Sequence, residues 1–498
     1  MTRIRHNDYG VLRPPAPGSW HPRLTVSVVI PAYDCQQALE RTVASLAHQT
    51  YPAELVEVVV ADDGSEPPIE LTGARVVRVT RGWGRGAARQ TGLLAATGDV
   101  VHWLDADMVL AEDHLEAHMR WHHLIDYAAV IGDTRFVESL DEEGEQTPYT
   151  RKTLESTRML KDAASNAYLL HTGASTSVRA DLLRAAGGVD ARLNMAEDTE
   201  LGYRLAQAGA VFIPDPLARA RHVGPSTVML REKDVHRHNW SFLGDLIPDL
   251  RWLRNHPRRN WLVPYVRVVV AATTYEQTRA TVDSALAGTL TDAAVTIVGP
   301  WGKLTGERRS SLDDPLLDLR LVHNLYAHEQ RVEFAESTPV SVAPAPFSVS
   351  VPTGWVLGAD TLTTLVRLAE QDTLGLVSAV LSEGADGIEV ARLERTAAFS
   401  RAALFHGQAD ELVDEMFGSI WVSGQEYGFA PAEEAEPLTG DAAKWRGVAA
   451  ERATELAAAR AEVARLTAEV DRLSAAPVPP AGGNGPLNSL IRHLRSAG

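Results

Sequence analysis

Gly98-Asp99-Val100-Val101-His102-Trp103-Leu104-Asp105-Ala106-Asp107 reads as an apolar strand that runs straight into two carboxylates. A spacing of two along a strand sets Asp105 and Asp107 on one face, near enough to share a divalent cation and the phosphates it carries. Hydrophobic residues feeding directly into acids mark the carboxyl end of a buried strand, where open α/β sheets place their ligands. Outward from this stretch, residues 26–30, 56–61 and 75–79 read as further strands, and residues 38–48 and 87–96 as amphipathic helices. The alternation predicts βαβ units and an α/β fold with a mostly parallel sheet covered on both faces. By itself the triplet is a weak sign. A chain with 65 acidic residues contains Asp-x-Asp by chance, and Asp141-Glu142-Glu143 is an acidic run in a solvated loop.

At 498 residues the chain exceeds what one core holds, so two or three domains are expected. Hydrophobic residues at 45% and charged residues at 23% describe an ordinary globular chain. The net charge of -17 argues against nucleic acid, whose phosphates need a clustered basic face. Cys35 is the one cysteine, which excludes an internal disulfide and a cysteine-rich zinc site and suits a reducing compartment. No stretch approaches a membrane span, and Met1 to Gly10 lack the apolar core of a signal peptide. The expectation is a cytoplasmic protein, at most peripheral at the inner face of the membrane.

Residues 1–23 are polar and Pro-rich and read as an extended N-terminal segment. Residues 24–230 form the first α/β domain, with further helices at 182–186 and 199–208. A Trp- and Arg-rich connector follows at 231–262, and then a second, smaller α/β domain at 263–435. This second run echoes the first: Val266-Arg267-Val268-Val269-Val270 matches Val26-Ser27-Val28-Val29-Ile30, and residues 356–362 match residues 109–115. In that register Asp105-Ala106-Asp107 falls on Pro352-Thr353-Gly354, and Asp62-Asp63-Gly64 on Gly299-Pro300-Trp301. The apolar frame is kept and the acids are gone, so the expectation is a duplicated, degenerate domain.

Between 440 and 475, Leu456, Ala459, Val463, Leu466, Val470 and Leu473 make a heptad seam that predicts a coiled coil and a homodimer; a lone surface helix is the alternative. Residues 476–498 read as a flexible tail with a short amphipathic segment.

Five further constellations can carry chemistry. Asp62-Asp63-Gly64-Ser65 ends the second strand, where a carboxylate can accept from the imide N–H of a uracil-like base; Asp-Gly also makes a plain turn. Pro31-Ala32-Tyr33 ends the first strand with an aromatic face for the same base. Arg81-Gly82-Trp83-Gly84-Arg85-Gly86-Ala87-Ala88-Arg89 is a Gly-rich loop entering a helix, and both the helix start and the guanidinium groups suit a diphosphate. It is neither a Rossmann fingerprint nor a Walker loop. Glu197-Asp198 begins a helix, where acids serve as caps or as a general base. His222 ends a strand-like run and can complete a carboxylate metal site. His114, His118 and His122, spaced four apart, are expected on an exposed polar face rather than around zinc.

Taken in order, Val26 to Tyr33, Asp62-Asp63-Gly64-Ser65, Ala88-Arg89-Gln90-Thr91-Gly92-Leu93, Leu104 to Asp107, Gly187-Gly188-Val189-Asp190 and Glu197 to Arg204 resemble the inverting family 2 glycosyltransferases of the GT-A fold. Gln90 departs from the asparagine the family often has, and keeps the amide. The resemblance covers about two fifths of the chain. It implies a nucleotide-diphosphate sugar donor, UDP-type favoured, a divalent cation (Mn2+ or Mg2+), and a carbohydrate or lipid-linked acceptor. On that pattern Pro31, Ala32, Tyr33 and Asp63 would hold the base, Arg85 or Arg89 the diphosphate, and Asp105 and Ala106 the ribose side. Asp107 would be the direct metal ligand, with Asp105 through water and His222 as a second ligand. Asp198 would be the catalytic base and Glu197 would face the acceptor. Single displacement with inversion, in cell-surface glycan or glycolipid synthesis, would follow.

Two other readings compete. A nucleotidyltransferase also uses paired carboxylates and a metal, but is expected to open with a basic Gly-rich loop after the first strand, where Pro31-Ala32-Tyr33-Asp34 stands instead. A non-catalytic scaffold of a glycan-assembly complex would not need the complete acidic set of the first half. Trp240, Trp252, Arg254, Arg258, Arg259 and Trp261 either line an acceptor groove or pack the two halves together, the second being favoured.

Overall fold

The apolar run at 26–30 is buried throughout. Strands on both of its edges and covered faces on both of its sides explain why it shows no polar alternation. The computed structural model describes residues 2–433 except 164, 255, 257, 258, 307–309, 311, 385 and 386, together with residues 462, 465 and 466. Residues 1–436 form one compact unit, whose described residues hold two large sheets and one of two strands.

In chain order the first sheet and its helices are β1 (Val26–Ala32), α1 (Gln36–Leu46), β2 (Val56–Asp62), β3 (Arg75–Arg78), α2 (Arg85–Ala95), β4 (Val100–Leu104), β5 (Met108–Leu110), α3 (His114–His122), β6 (Ala128–Val137), α4 (Pro148–Ser156), β7 (Ser175–Arg179), α5 (Ala180–Ala185), α6 (Glu197–Gln207) and β8 (Val211–Val223). The strand order is β3-β2-β1-β4-β7-β6-β8-β5. The β3 to β4 block is parallel, β7 is antiparallel to both its neighbours, and β8 is parallel to β6. The carboxyl ends of β1, β2 and β4 therefore meet on one edge, which gathers Tyr33, Asp63 and Asp105.

The chain continues through α7 (Thr227–Leu246), β9 (Val266–Ala271), α8 (Tyr275–Leu286), β10 (Ala293–Val298), α9 (Leu317–Tyr326), β11 (Val332–Ala335), β12 (Phe347–Ser350), β13 (Trp355–Leu357), α10 (Thr361–Gln371), β14 (Leu376–Gly384), β15 (Gly387–Arg395), α11 (Thr396–Ala402), α12 (Ala409–Met416), β16 (Ser419–Ser423) and β17 (Phe429–Pro431). The second sheet runs β11-β10-β9-β12-β15-β14-β16. Over its seven strands this repeats the first from β3 to β8, with the same parallel and antiparallel partners, while β13, which stands where β5 does, pairs with β17 in a separate two-stranded sheet. Val26 lies beside Val56 and Val100, and Val266 beside Ala293 and Phe347. Counting from those pairs sets Pro352-Thr353-Gly354 at the position of Asp105-Ala106-Asp107.

The N-terminal segment is packed against the first half. Ile4, Tyr9 and Leu12 are buried in the first core. The Asn7 amide donates to the carbonyls of Leu160 and Phe212 at 2.8 and 2.9 Å and accepts the Phe212 N–H at 2.8 Å. An irregular strap buries its apolar residues singly, so no period announced it. The expected start of the connector falls inside α7, at a kink at Arg231. Within the connector, Arg251 and Arg254 pair with Asp292 of the second half, and the Arg254 and Arg259 guanidinium groups stack on Trp261. That much is packing between the halves, while Trp240 and Trp252 meet edge to face and stay exposed. Arg258, the heptad seam apart from Leu466, and the tail lie outside the described residues. Among the described residues no helix is long and apolar enough to cross a membrane.

Candidate active site

The two acids after β2 have separate tasks. Asp62 is buried and builds the turn, accepting from the N–H groups of Gly64 and Ser65 at 3.2 and 2.8 Å and from Arg78 at 2.6 Å. Asp63 accepts the Gly84 N–H at 2.6 Å, at the start of α2. Gly84 has φ +88°, and a Cβ there would meet Asn194 Cα at 2.9 Å. Burial pushes the Asp63 carboxyl upward, against the pull of that N–H. Pro31 is half-buried and Ala32 buried, whereas Tyr33 is exposed with its ring open at the strand end.

Arg89 corrects one expectation. It is buried, donates to Asp105 Oδ1 at 2.7 Å and pairs with Glu197, so α2, β4 and α6 are tied by one guanidinium. It holds the Asp105 carboxylate in place and is not open to a diphosphate. Arg85 is the arginine left on the surface, donating to Thr227 Oγ1 at 2.9 Å. Glu197 is corrected with it: a carboxylate that is 1% exposed and paired with Arg89 does not face an acceptor.

Asp107 leads into β5, and the antiparallel register that sets Met108 opposite His222 brings Asp107 beside the end of β8. His222 Nε2 lies 3.5 Å from Asp107 Oδ1. Its Nδ1 faces the Gly224 carbonyl at 3.1 Å, which assigns the proton to Nδ1 and leaves the Nε2 lone pair toward the acids. The ring is steadied by Phe136, 4.8 Å between centroids. Asp105, Asp107 and His222 offer one ligand atom each within 4.8 Å of one another. Burial raises the Asp107 carboxyl, with His222 acting the other way. Two carboxylates and a neutral imidazole suit a divalent cation such as Mn2+. The Ala106 carbonyl accepts from Thr42 Oγ1 at 2.8 Å.

Asp198 stands in the first turn of α6, after Ala196 at φ +62°. Its Oδ2 accepts the Gly173 N–H at 3.0 Å and its Oδ1 the Thr199 N–H at 2.7 Å. Gly173 escaped the sequence reading. A Cβ there would overlap the Arg89 guanidinium, so this glycine leaves room for Arg89 and its N–H orients Asp198. No motif surrounds it, and the signal exists only once α2 and α6 are packed together. Thr227, the partner of Arg85, escaped for the same reason.

The histidines of α3 correct another expectation. His114, His118 and His122 are buried, together with His102 of β4. The strap crosses the outer side of α3: Gly18 N and Trp20 Nε1 donate to Glu116 Oε1, and Arg120 Nη1 donates to the Pro15 carbonyl.

Residues 27–181 match the family model described as Glycosyl transferase family 2. This stretch of the first α/β half is thus similar to family 2 glycosyltransferases. The pre-mycofactocin glycosyltransferase of Mycobacterium tuberculosis is 31% identical over 220 residues, 42% of this chain and 44% of that protein. Chondroitin synthase of Escherichia coli is 26% identical over 240 residues, 40% of this chain and 35% of that protein. The chain thus spans less than half the length of the curated relatives it matches. Among solved structures, the mannosyltransferase PcManGT of Pyrobaculum calidifontis in complex with GDP-Man and Mn2+ aligns at 24% identity and TM-score 0.35, over 44% of this chain and 64% of that one. Staphylococcus aureus TarS (1-349) aligns at 21% identity and TM-score 0.32, over 40% and 60%.

Proposed function

We propose that this chain transfers a sugar from a nucleotide-diphosphate donor, of UDP type, to a hydroxyl of a carbohydrate or lipid-linked acceptor in cell-surface glycan synthesis, with inversion. The observation that carries the reading is the convergence of Asp105, Asp107 and His222 at the strand edge of a domain similar to family 2 glycosyltransferases. Likeness to the pre-mycofactocin glycosyltransferase and to chondroitin synthase supports sugar transfer.

Tyr33 offers its open ring to the base, and Asp63 accepts from the base's imide. Arg85 meets the diphosphate from the α2 side. Asp107 and His222 hold the divalent cation, with Asp105 kept in position by Arg89. When bound, that cation offsets the negative charge of the departing diphosphate. Asp198 accepts the proton of the acceptor hydroxyl, its carboxylate aimed by the N–H groups of Gly173 and Thr199. A single in-line attack inverts the anomeric centre. The second half, with Pro352-Thr353-Gly354 in place of the acids, is a non-catalytic copy, so there is one active site per chain.

The test is release of free nucleotide diphosphate from UDP-sugars with Mn2+ or Mg2+. Asp198→Asn is expected to abolish transfer to an acceptor while donor affinity changes less than about twofold, as for a group acting on the acceptor alone. Undiminished transfer by that variant removes Asp198 from the mechanism, and a wild-type chain that never releases nucleotide is a scaffold.

A further inference from the structure

We propose that His102, His114 and His118 form a second metal site that binds one transition-metal ion of the zinc class, with the Ser175 hydroxyl as fourth ligand.

One ring nitrogen from each of the three lies within 4.8 Å of the others, and all three rings are buried. His102 comes from β4, while His114 and His118 share one face of α3. His102 Nε2 and His114 Nε2 are 3.0 Å apart. Ser175 Oγ stands 3.3 Å from His114 Nε2 and 3.3 Å from His118 Nε2. Ligand atoms about 2.0–2.1 Å from a tetrahedral zinc stand about 3.3 Å from each other, so the spacing is that of a coordination shell.

His114 Nδ1 faces the Arg219 carbonyl at 3.0 Å and His102 Nδ1 faces the Thr176 carbonyl at 3.3 Å. A carbonyl only accepts, so both rings carry their proton on Nδ1 and point an Nε2 lone pair at each other. Ser175 has one proton and can serve one of its two neighbouring imidazoles. However the Ser175 and Ser177 protons are arranged, the His102–His114 contact keeps two lone pairs and no donor. A cation between them removes the conflict, and the Nδ1–H···O=C bonds are the outer contacts that zinc-bound histidines make. A proton is the poorer candidate, because it would put a positive charge on an imidazole that is wholly buried and has no carboxylate among these contacts.

The second sheet shows that the fold does not require these side chains. The registers that set Val100 and Phe347 in equivalent places put Val349 at the position of His102. Continuing through the matching β5 and β13, His114, His118 and His122 fall on Thr361, Leu365 and Ala369. Across the antiparallel pairs, Ser175 and Ser177 fall on Ala391 and Leu393. Those six residues are all buried. The same frame therefore packs well with almost no polar groups there, and burying four imidazoles and two hydroxyls instead calls for a ligand that repays their desolvation.

The test is zinc content of the full chain after dialysis against EDTA at neutral pH. About one zinc per chain is expected to stay until the protein is unfolded, as for a closed structural site. Asp107→Asn is expected to retain it. A variant carrying the second half's residues (His102→Val, His114→Thr, His118→Leu, His122→Ala, Ser175→Ala, Ser177→Leu) is expected to fold and to hold less than about a tenth as much. Cobalt in the wild-type site should give the strong visible absorption of tetrahedral Co2+. A wild-type chain that holds no zinc and gains no thermal stability from added Zn2+ or Co2+ overturns the proposal. So does the sixfold variant, if it binds as the wild type does.

Discussion

Arg89 and Glu197 show how little a residue's type says about its task. Both were plausible ligand-facing groups in the sequence, and both are buried partners of each other. Removing one member of a buried ion pair leaves the other charged and unsolvated. Arg89→Met is accordingly expected to lower unfolding free energy by about 3–5 kcal/mol in urea titration, with much of the loss recovered in the Arg89→Met, Glu197→Gln double variant. The same double variant should still lack turnover, since Asp105 has lost its guanidinium.

At the scale of elements, the start of α2 decides how the donor side is presented. Gly86 N donates to the Leu193 carbonyl at 3.0 Å, and a Cβ on Gly86 would stand 2.3 Å from that oxygen and 2.6 Å from the Asp190 carbonyl. Both obstacles are backbone and cannot swing away. Gly86→Ala should cost about 1–3 kcal/mol and raise the KM for the donor, because α2 must lift and carry Arg85 with it; parallel melting and initial-rate measurements check this. The strands and helices themselves were legible, since periodicity and strand-end punctuation are local. The surroundings of α3 were not. Its histidine spacing reads as a polar face, yet every residue of the helix is buried, because sheet and strap enclose it from opposite sides.

At the scale of the molecule, two sheets of one topology are joined by polar pins. Arg401 of α11 is buried and donates to the carbonyls of Ile4, His6, Gly209 and Ala210, which belong to the first half. Arg401→Ala leaves those carbonyls short of a donor and should destabilise both halves in one transition, by at least about 3 kcal/mol, with no rescue by Arg401→Lys, whose single ammonium cannot fork. Asp249 lies on a cavity of about 230 Å³ between the halves, and burial pushes its carboxyl from 3.8 up to about 6. The folded chain holds this proton more tightly than the unfolded one. The stability it gives is complete below about pH 4 and is lost as pH rises through 6. Asp249→Asn should remove that loss, so that the variant gains on the wild type at pH 7 relative to pH 4.5 in urea titrations.

The sequence by itself determined the parallel α/β frame, the carboxylates at its strand ends, and the register in which Pro352-Thr353-Gly354 answers to Asp105-Ala106-Asp107. Each depends on neighbours a few residues apart, where spacing fixes the face a side chain takes. Only the tertiary structure decided that Arg89 clamps Asp105 instead of meeting phosphate, that Gly173 aims Asp198, and that four histidines are buried together. Those outcomes depend on which elements close over one another, and burial sets the charge, partner and accessibility of a side chain that the chain alone leaves open.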